Sequence, residues 1–129
     1  VMSAAVADFR PVKSSNSKTK KKDGIEPLGL VPTEDILGGL RAKGYQGLLV
    51  GFAMETEELV ARAREKLEKK QLNLICANNL TDQGAGFGVP TNVVTLIERE
   101  GEPEQLPKMS KAEVAIQILN RISRLFSSS

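Results

Sequence analysis

The sequence predicts an α/β domain, with strands and helices alternating along the chain around a mostly parallel sheet. Three observations carry the prediction. Short apolar runs at residues 47–53, 72–77 and 92–97 show little alternation, the pattern of strands buried on both faces. Between and after them lie segments whose apolar residues recur every three or four positions, as amphipathic helices require. The 129 residues suffice for one domain with its own core.

In chain order, residues 1–9 (VMSAAVADF) read as a first buried strand that delivers Asp8 at its carboxyl end. Residues 10–24 lack periodicity and are rich in Ser, Lys and Asn, so a mobile surface loop is expected there. Residues 25–30 read as a short extended piece broken by Pro27. Thr33 is placed to cap a helix with Glu34 and Asp35 in its first turn, Ile36, Leu37 and Leu40 as its apolar stripe, and Gly44 at its end. After the strand at 47–53, Glu55 or Thr56 opens a helix to about Lys70, with Leu59, Ala63 and Leu67 on one face. The strand at 72–77 leads into a polar, Gly-rich loop at 78–90, and the strand at 92–97 into a turn at 101–103. Ser110 and Glu113 form a capping box for a last helix with Val114, Ile118, Ile122 and Leu125 as its stripe. The reading is a Rossmann-like three-layer domain over residues 1–126, followed by a frayed tail at 127–129. Because Val1 already lies inside an apolar run, the domain is expected to lack its N-terminal part.

Composition excludes several chemistries. There is no histidine, which removes Ser-His and Cys-His nucleophiles and the usual zinc sites. One cysteine, Cys76, cannot form an internal disulfide and suits a reducing compartment. No apolar run is long enough to span a bilayer, so a cytoplasmic protein without a membrane partner is expected. The net charge of +2 is uneven: residues 1–22 hold six basic residues against Asp8, and the remainder holds twelve basic against fifteen acidic. Such local positive charge suits a small anionic ligand better than a nucleic-acid track.

In a parallel α/β sheet, ligands bind outside the carboxyl ends of the strands, which directs attention to Asp8, Phe52 and Asn78. Pattern alone gives each candidate an ordinary explanation. The lysines at 18–22 read as a solvated loop, and Lys66 and Lys70 as cations complementing a helix C-terminus. Cys76 reads as a core thiol, and Phe52 and Phe87 as core aromatics. The glycines at 84–88 precede a strand, where a dinucleotide fingerprint requires a helix.

The order of the pieces is more specific than any one of them. Residues 4–11 (AAVADFRP), 18–21 (KTKK), 34–37 (EDIL), 50–56 (VGFAMET), 63–66 (AREK) with Lys70, 74–78 (LICAN), Phe87-Gly88, Asn92 and 110–113 (SKAE) together resemble the later half of bacterial phosphopantothenoylcysteine synthetase. That is the ligase part of a bifunctional coenzyme A biosynthesis flavoprotein, whose decarboxylase part carries FMN. The resemblance implies a Mg²⁺-assisted, CTP-dependent ligase that joins 4′-phosphopantothenate to cysteine through an acyl-cytidylate, working as a homodimer. By the same resemblance, Lys18 is the functional lysine of a mobile loop and Ala4 the small residue at the acyl-intermediate site. Asp8, Glu34, Asp35, Ile36, Leu37, Phe52, Lys66 and Lys70 stand at CTP-binding positions. The chain departs from the family pattern at Glu34 (commonly Pro), Met54 (commonly Ala) and Asn79 (commonly Asp). The Gly-rich turn and the asparagine that the family keeps in its front half are not in the chain, which alone is expected to be catalytically incomplete. Two other readings compete. An NAD(P)-binding Rossmann-type oxidoreductase module requires a Gly-rich strand-to-helix turn that the sequence lacks, and a nucleic-acid binder requires more aromatic interleaving than Phe9 supplies.

Overall fold

The computed structural model describes residues 1–13, 27–55, 57–79 and 90–127. Lys18 with the rest of the basic cluster at 18–22, Thr56, the glycines at 84–88 with Phe87, and Ser128 and Ser129 lie outside the described residues. The chain divides into a smaller unit, Ala4–Ile36, and a larger one comprising Val1–Ser3 and Leu37–Ser129.

In the smaller unit, β1 (Phe9–Pro11) pairs antiparallel with β2 (Leu30–Pro32), with Arg10 opposite Val31. The Val12 amide donates to the Gly29 carbonyl (2.9 Å) and the Thr33 amide to the Asp8 carbonyl (2.8 Å), lengthening the ladder at both ends. Two expectations are corrected. Residues 1–9 do not form a buried strand: all but Met2 are exposed, and pairing is confined to Phe9–Pro11. The three alanines and one serine of this run offer little apolar area to bury, and hydrophobic gain scales with that area. Thr33 does not cap a helix, because its hydroxyl donates to the Ala7 carbonyl (2.5 Å). Helix α1 therefore begins at Ile36 (Ile36–Ala42), without an acidic residue in its first turn.

The larger unit is built on a four-stranded sheet of order β3-β4-β6-β7. Strand β3 (Val50–Glu55) runs parallel to β4 (Leu74–Asn79), with Val50 opposite Leu74 and Glu55 opposite Asn79. Helix α2 (Leu59–Lys69) makes the crossover. Two-residue strand β5 (Thr91–Asn92) precedes β6 (Val94–Glu98), which pairs antiparallel with both β4 and β7 (Glu104–Gln105). Strand β8 (Met109–Ser110) pairs with β5 and leads into α3 (Lys111–Ser127). The α/β layering is as expected, but only one of these three sheet pairs is parallel. A parallel return needs a crossover of a dozen or more residues, usually helical. The sequence between β4 and β6 holds three glycines and a proline and carries no helical repeat.

Two apolar cores separate three layers. On one face, α1 and α2 bring Leu37, Leu40, Leu59, Ala63 and Leu67 against Ala53, Ile75, Ala77 and Ile97. On the other, α3 brings Val114, Ile118, Ile122 and Leu125 against Val50, Leu74, Cys76, Val94 and Leu96. The stripes expected for α2 and α3 are those observed. Leu67, Leu74 and Ile97 are almost completely buried, each worth about 1.5–3 kcal/mol relative to exposure. Burial pushes the Cys76 thiol up to about 12, so it stays protonated and inert.

The helix ends follow local chemistry. Gly44 (φ 86°) closes α1, with the Tyr45 amide on the Leu40 carbonyl and the Gly44 amide on the Arg41 carbonyl (both 3.0 Å). Helix α2 closes in the same way, but Gln71 (φ 51°) takes the left-handed position that usually falls to glycine. The Ser110–Glu113 capping box forms as expected: Glu113 accepts from the Ser110 amide (2.8 Å) and hydroxyl (2.7 Å), and the Glu113 amide donates to the Ser110 hydroxyl (3.2 Å). Those bonds hold the Glu113 carboxyl below its ordinary range. At the other end, Arg121 ties α3 to the sheet through Glu98 (2.5 Å) and Glu104. Among the described residues, no helix is long and apolar enough to cross a membrane.

Candidate functional site

The carboxyl ends of the parallel strands β3 and β4 are where an α/β sheet receives its ligands. Along β3 the side chains alternate, so Val50, Phe52 and Met54 share the α3 face and Ala53 and Glu55 the α2 face. Phe52 is 43% exposed, beyond the cover that α3 gives Val50. Met54, two residues further along the same face, is exposed as well.

On the opposite face, the Lys66 ammonium donates to Glu55 Oε1 at 2.5 Å. Lys66 lies in the last turn of α2, far along the helix from the end of β3. It reaches Glu55 because helical side chains lean toward the helix N-terminus, so its long stem runs back toward the strand's carboxyl end. The Glu55 side chain is 10% exposed and the Lys66 side chain 47%, so the pair has one buried member and one facing water. Strand register sets Asn79 beside Glu55. Lys70 follows one turn after Lys66 as the half-buried C-cap of α2.

The other expected site residues are placed as follows. Ala4, Asp8, Glu34 and Asp35 belong to the smaller unit and are all exposed. Ile36 opens α1 and Leu37 packs against the α2-side core. Lys18 is outside the described residues. In the sequence Glu55 reads as a possible helix start, which conceals it as a site residue. Helix α2 begins only at Leu59, after Glu58 in a left-handed conformation (φ 48°), which leaves Glu55 as the last residue of the strand. No local motif marks the pair. Its spacing of eleven residues becomes a contact only through the strand-turn-helix geometry.

Among the described residues there is no group of three or more Cys, Asp or Glu able to hold a metal ion. A magnesium ion therefore finds no cage of carboxylates there. A cavity of about 290 Å³ is lined by Arg64, Leu67, Glu68, Gln71 and Arg99. It lies at the opposite end of the sheet, where β4 begins and β6 ends, and so is separate from the Glu55–Lys66 pair.

Comparisons with known proteins agree on one relationship. The family model described as the DNA/pantothenate metabolism flavoprotein C-terminal domain matches residues 1–126. The chain is 46% identical over 125 residues to the coenzyme A biosynthesis bifunctional protein CoaBC of Bacillus subtilis (strain 168), covering 97% of this chain and 31% of that protein. It is 41% identical over 126 residues to a cysteine/cysteine sulfinic acid decarboxylase from an unknown prokaryotic organism, covering 97% and 35% respectively. The chain thus spans about a third of the length of the curated relatives it matches. Among solved structures, the crystal structure of the C-terminal domain of CoaBC superposes with a TM-score of 0.74 at 33% identity, covering 98% of this chain and 53% of that one. That likeness fits a Rossmann-like fragment.

Proposed function

Because the chain belongs to the DNA/pantothenate metabolism flavoprotein C-terminal domain family, we propose that it is part of a CTP-dependent phosphopantothenate–cysteine ligase of coenzyme A biosynthesis. In this reading a carboxylate oxygen of 4′-phosphopantothenate attacks the α-phosphorus of CTP. The bond from the α-phosphorus to the bridging oxygen breaks, and pyrophosphate leaves. The cysteine amine then attacks the acyl carbon, CMP departs with the anhydride oxygen, and the amine loses a proton as the amide forms.

A free carboxylate is a poor acyl donor, and conversion to a mixed anhydride supplies its leaving group. The protein's work is positioning and charge neutralisation, which needs neither the absent histidine nor the inert Cys76. Lys66 and Lys70 would grip the triphosphate, Phe52 and Asp8 the nucleoside, and the Glu34–Leu37 turn would supply backbone contacts to the nucleotide. Lys18 would neutralise the reacting phosphate beside the acyl group at Ala4. Magnesium would be carried by the nucleotide phosphates, as this ion commonly is. The working protein would be a cytoplasmic homodimer, with FMN confined to a decarboxylase part outside this chain.

The single observation that supports this reading best is the half-exposed Lys66 side chain, whose ammonium is anchored on Glu55 at the carboxyl end of β3, where an α/β sheet receives its ligands. The test is calorimetric titration of the full-length protein with CTP and with ATP. CTP binding at least tenfold tighter than ATP binding is expected, and equal, weak binding of both would count against the reading. The likeness to a cysteine/cysteine sulfinic acid decarboxylase favours a second reading, in which the domain is carried by a decarboxylase and performs no ligation.

A further inference from the structure

We propose that Glu55 is a positioning residue that aims the Lys66 ammonium at the nucleotide phosphates, an inference that rests on the ligase reading above. A carboxylate that is nine-tenths buried needs a counter-charge, because burial strips it of water. Lys66 supplies that charge at 2.5 Å. The benefit runs in the other direction as well. Lysine carries its charge on a flexible four-carbon stem that samples many rotamers when free. Anchoring one N–H of the ammonium to the end of a core strand removes that freedom and leaves two N–H donors. The Lys66 side chain is 47% exposed, so a ligand can approach it from the solvent side.

The anchor itself is rigid. Ala53, two residues earlier on the same face, is buried in the α2-side core, and Glu55 is held in register opposite Asn79. The pair therefore places a cation from the far end of α2 at the mouth of β3. A surface lysine at the C-terminal end of the same helix, such as Lys69, has no such strand partner described. Loss of the carboxylate also removes a negative charge from the neighbourhood of a polyanion, which would favour binding. The loss of aim outweighs this gain, as holds wherever a transition state is stabilised by a charge in one fixed place.

The test is CTP-dependent pyrophosphate release by the full-length protein carrying Glu55→Ala, Glu55→Gln, Lys66→Ala and the double changes. Glu55→Ala should lower kcat/KM for CTP about tenfold. Glu55→Gln, which keeps an oxygen to accept from the ammonium, should recover part of that loss. Neither should lower it further in a Lys66→Ala background. If Glu55→Ala and Glu55→Gln both match the wild type, or if their effects multiply with that of Lys66→Ala, Glu55 does not act through Lys66 and the proposal is overturned. Glu55→Gln preserves shape and serves where Glu55→Ala fails to fold. A wild-type protein with no CTP-dependent release at all would overturn the ligase reading instead, and this inference with it.

Discussion

Replacing Lys66 by alanine in the full-length protein is expected to weaken CTP binding by roughly ten- to a hundredfold. A hydrogen bond to a charged group contributes about 1.5–3 kcal/mol, and each 1.4 kcal/mol is a factor of ten in affinity. The ammonium is anchored on Glu55 at the carboxyl end of β3, and the Lys66 side chain is 47% exposed. Truncation also leaves Glu55 buried without its counter-ion, so the melting midpoint of Lys66→Ala should fall. Lys66→Gln separates the two effects. Its amide N–H can still donate to Glu55, so stability should be largely kept while the phosphate loses its charged partner. Isothermal titration with CTP and a thermal scan on the same samples give both quantities. Wild-type affinity in both variants would remove Lys66 from the site.

The second large effect is structural. Arg41→Ala should destabilise the larger unit by about 2–4 kcal/mol, because one guanidinium makes four hydrogen bonds that no other side chain can replace. Arg41 Nε donates to the Gln71 carbonyl (3.2 Å), Nη1 to the carbonyls of Tyr45 (2.8 Å) and Gly47 (2.9 Å), and Nη2 to Asn73 Oδ1 (2.9 Å). Asn73 Oδ1 in turn accepts from the Leu49 amide (2.9 Å), and the Asn73 amide donates to the Leu49 carbonyl (2.8 Å). One side chain thus joins the end of α1, the approach to β3 and the turn between α2 and β4. It also relates to Gln71, whose left-handed backbone costs energy in a residue other than glycine. Arg41→Lys should recover little, since an ammonium lacks the planar fork that reaches acceptors on several sides. Hydrogen exchange is the local readout: the Leu49 and Asn73 amides should exchange faster in Arg41→Ala than in the wild type. Unchanged exchange and an unchanged melting midpoint would reduce the network to surface decoration.

That network also explains where the sequence misleads. Residues 47–49 belong to the apolar run read as a strand, yet β3 starts at Val50. The carbonyl of Gly47 is committed to Arg41, and Leu49 to the side chain and backbone of Asn73. These partners are distant in sequence, and apolar periodicity carries no trace of them. By contrast, the α2 and α3 stripes were legible because a helix buries one face at fixed spacing. So was the capping box, whose two members lie three residues apart. The antiparallel return of β6 was not legible, since a strand buried on both faces shows the same apolar run in either orientation. Residues 1–9 show the limit of composition: an apolar run is a strand only if something pairs with it. Here the Met2 amide donates to the Val50 carbonyl (2.9 Å), and strand pairing resumes only at Phe9.

The candidate site divides along the same line. Lys66 and Lys70 stood out only through the order of motifs, because a pair of cations near a helix C-terminus is commonplace. Glu55 was invisible until β3 was seen to extend through it. A residue whose partner lies across a turn announces itself through register, and register is a property of the folded chain.

The ligase reading stands or falls on nucleotide activation of a carboxylate. The most direct measurement is incubation of the full-length protein with 4′-phosphopantothenate and CTP in the absence of cysteine, followed by mass spectrometry of the small-molecule products. The ligase reading predicts pyrophosphate and an acyl-cytidylate, formed only when both substrates are present and converted to CMP and an amide when cysteine is added. Pyrophosphate at background level, with neither cytidylate nor CMP, would contradict it, and carbon dioxide release from cysteine in the same protein would point to the decarboxylase reading.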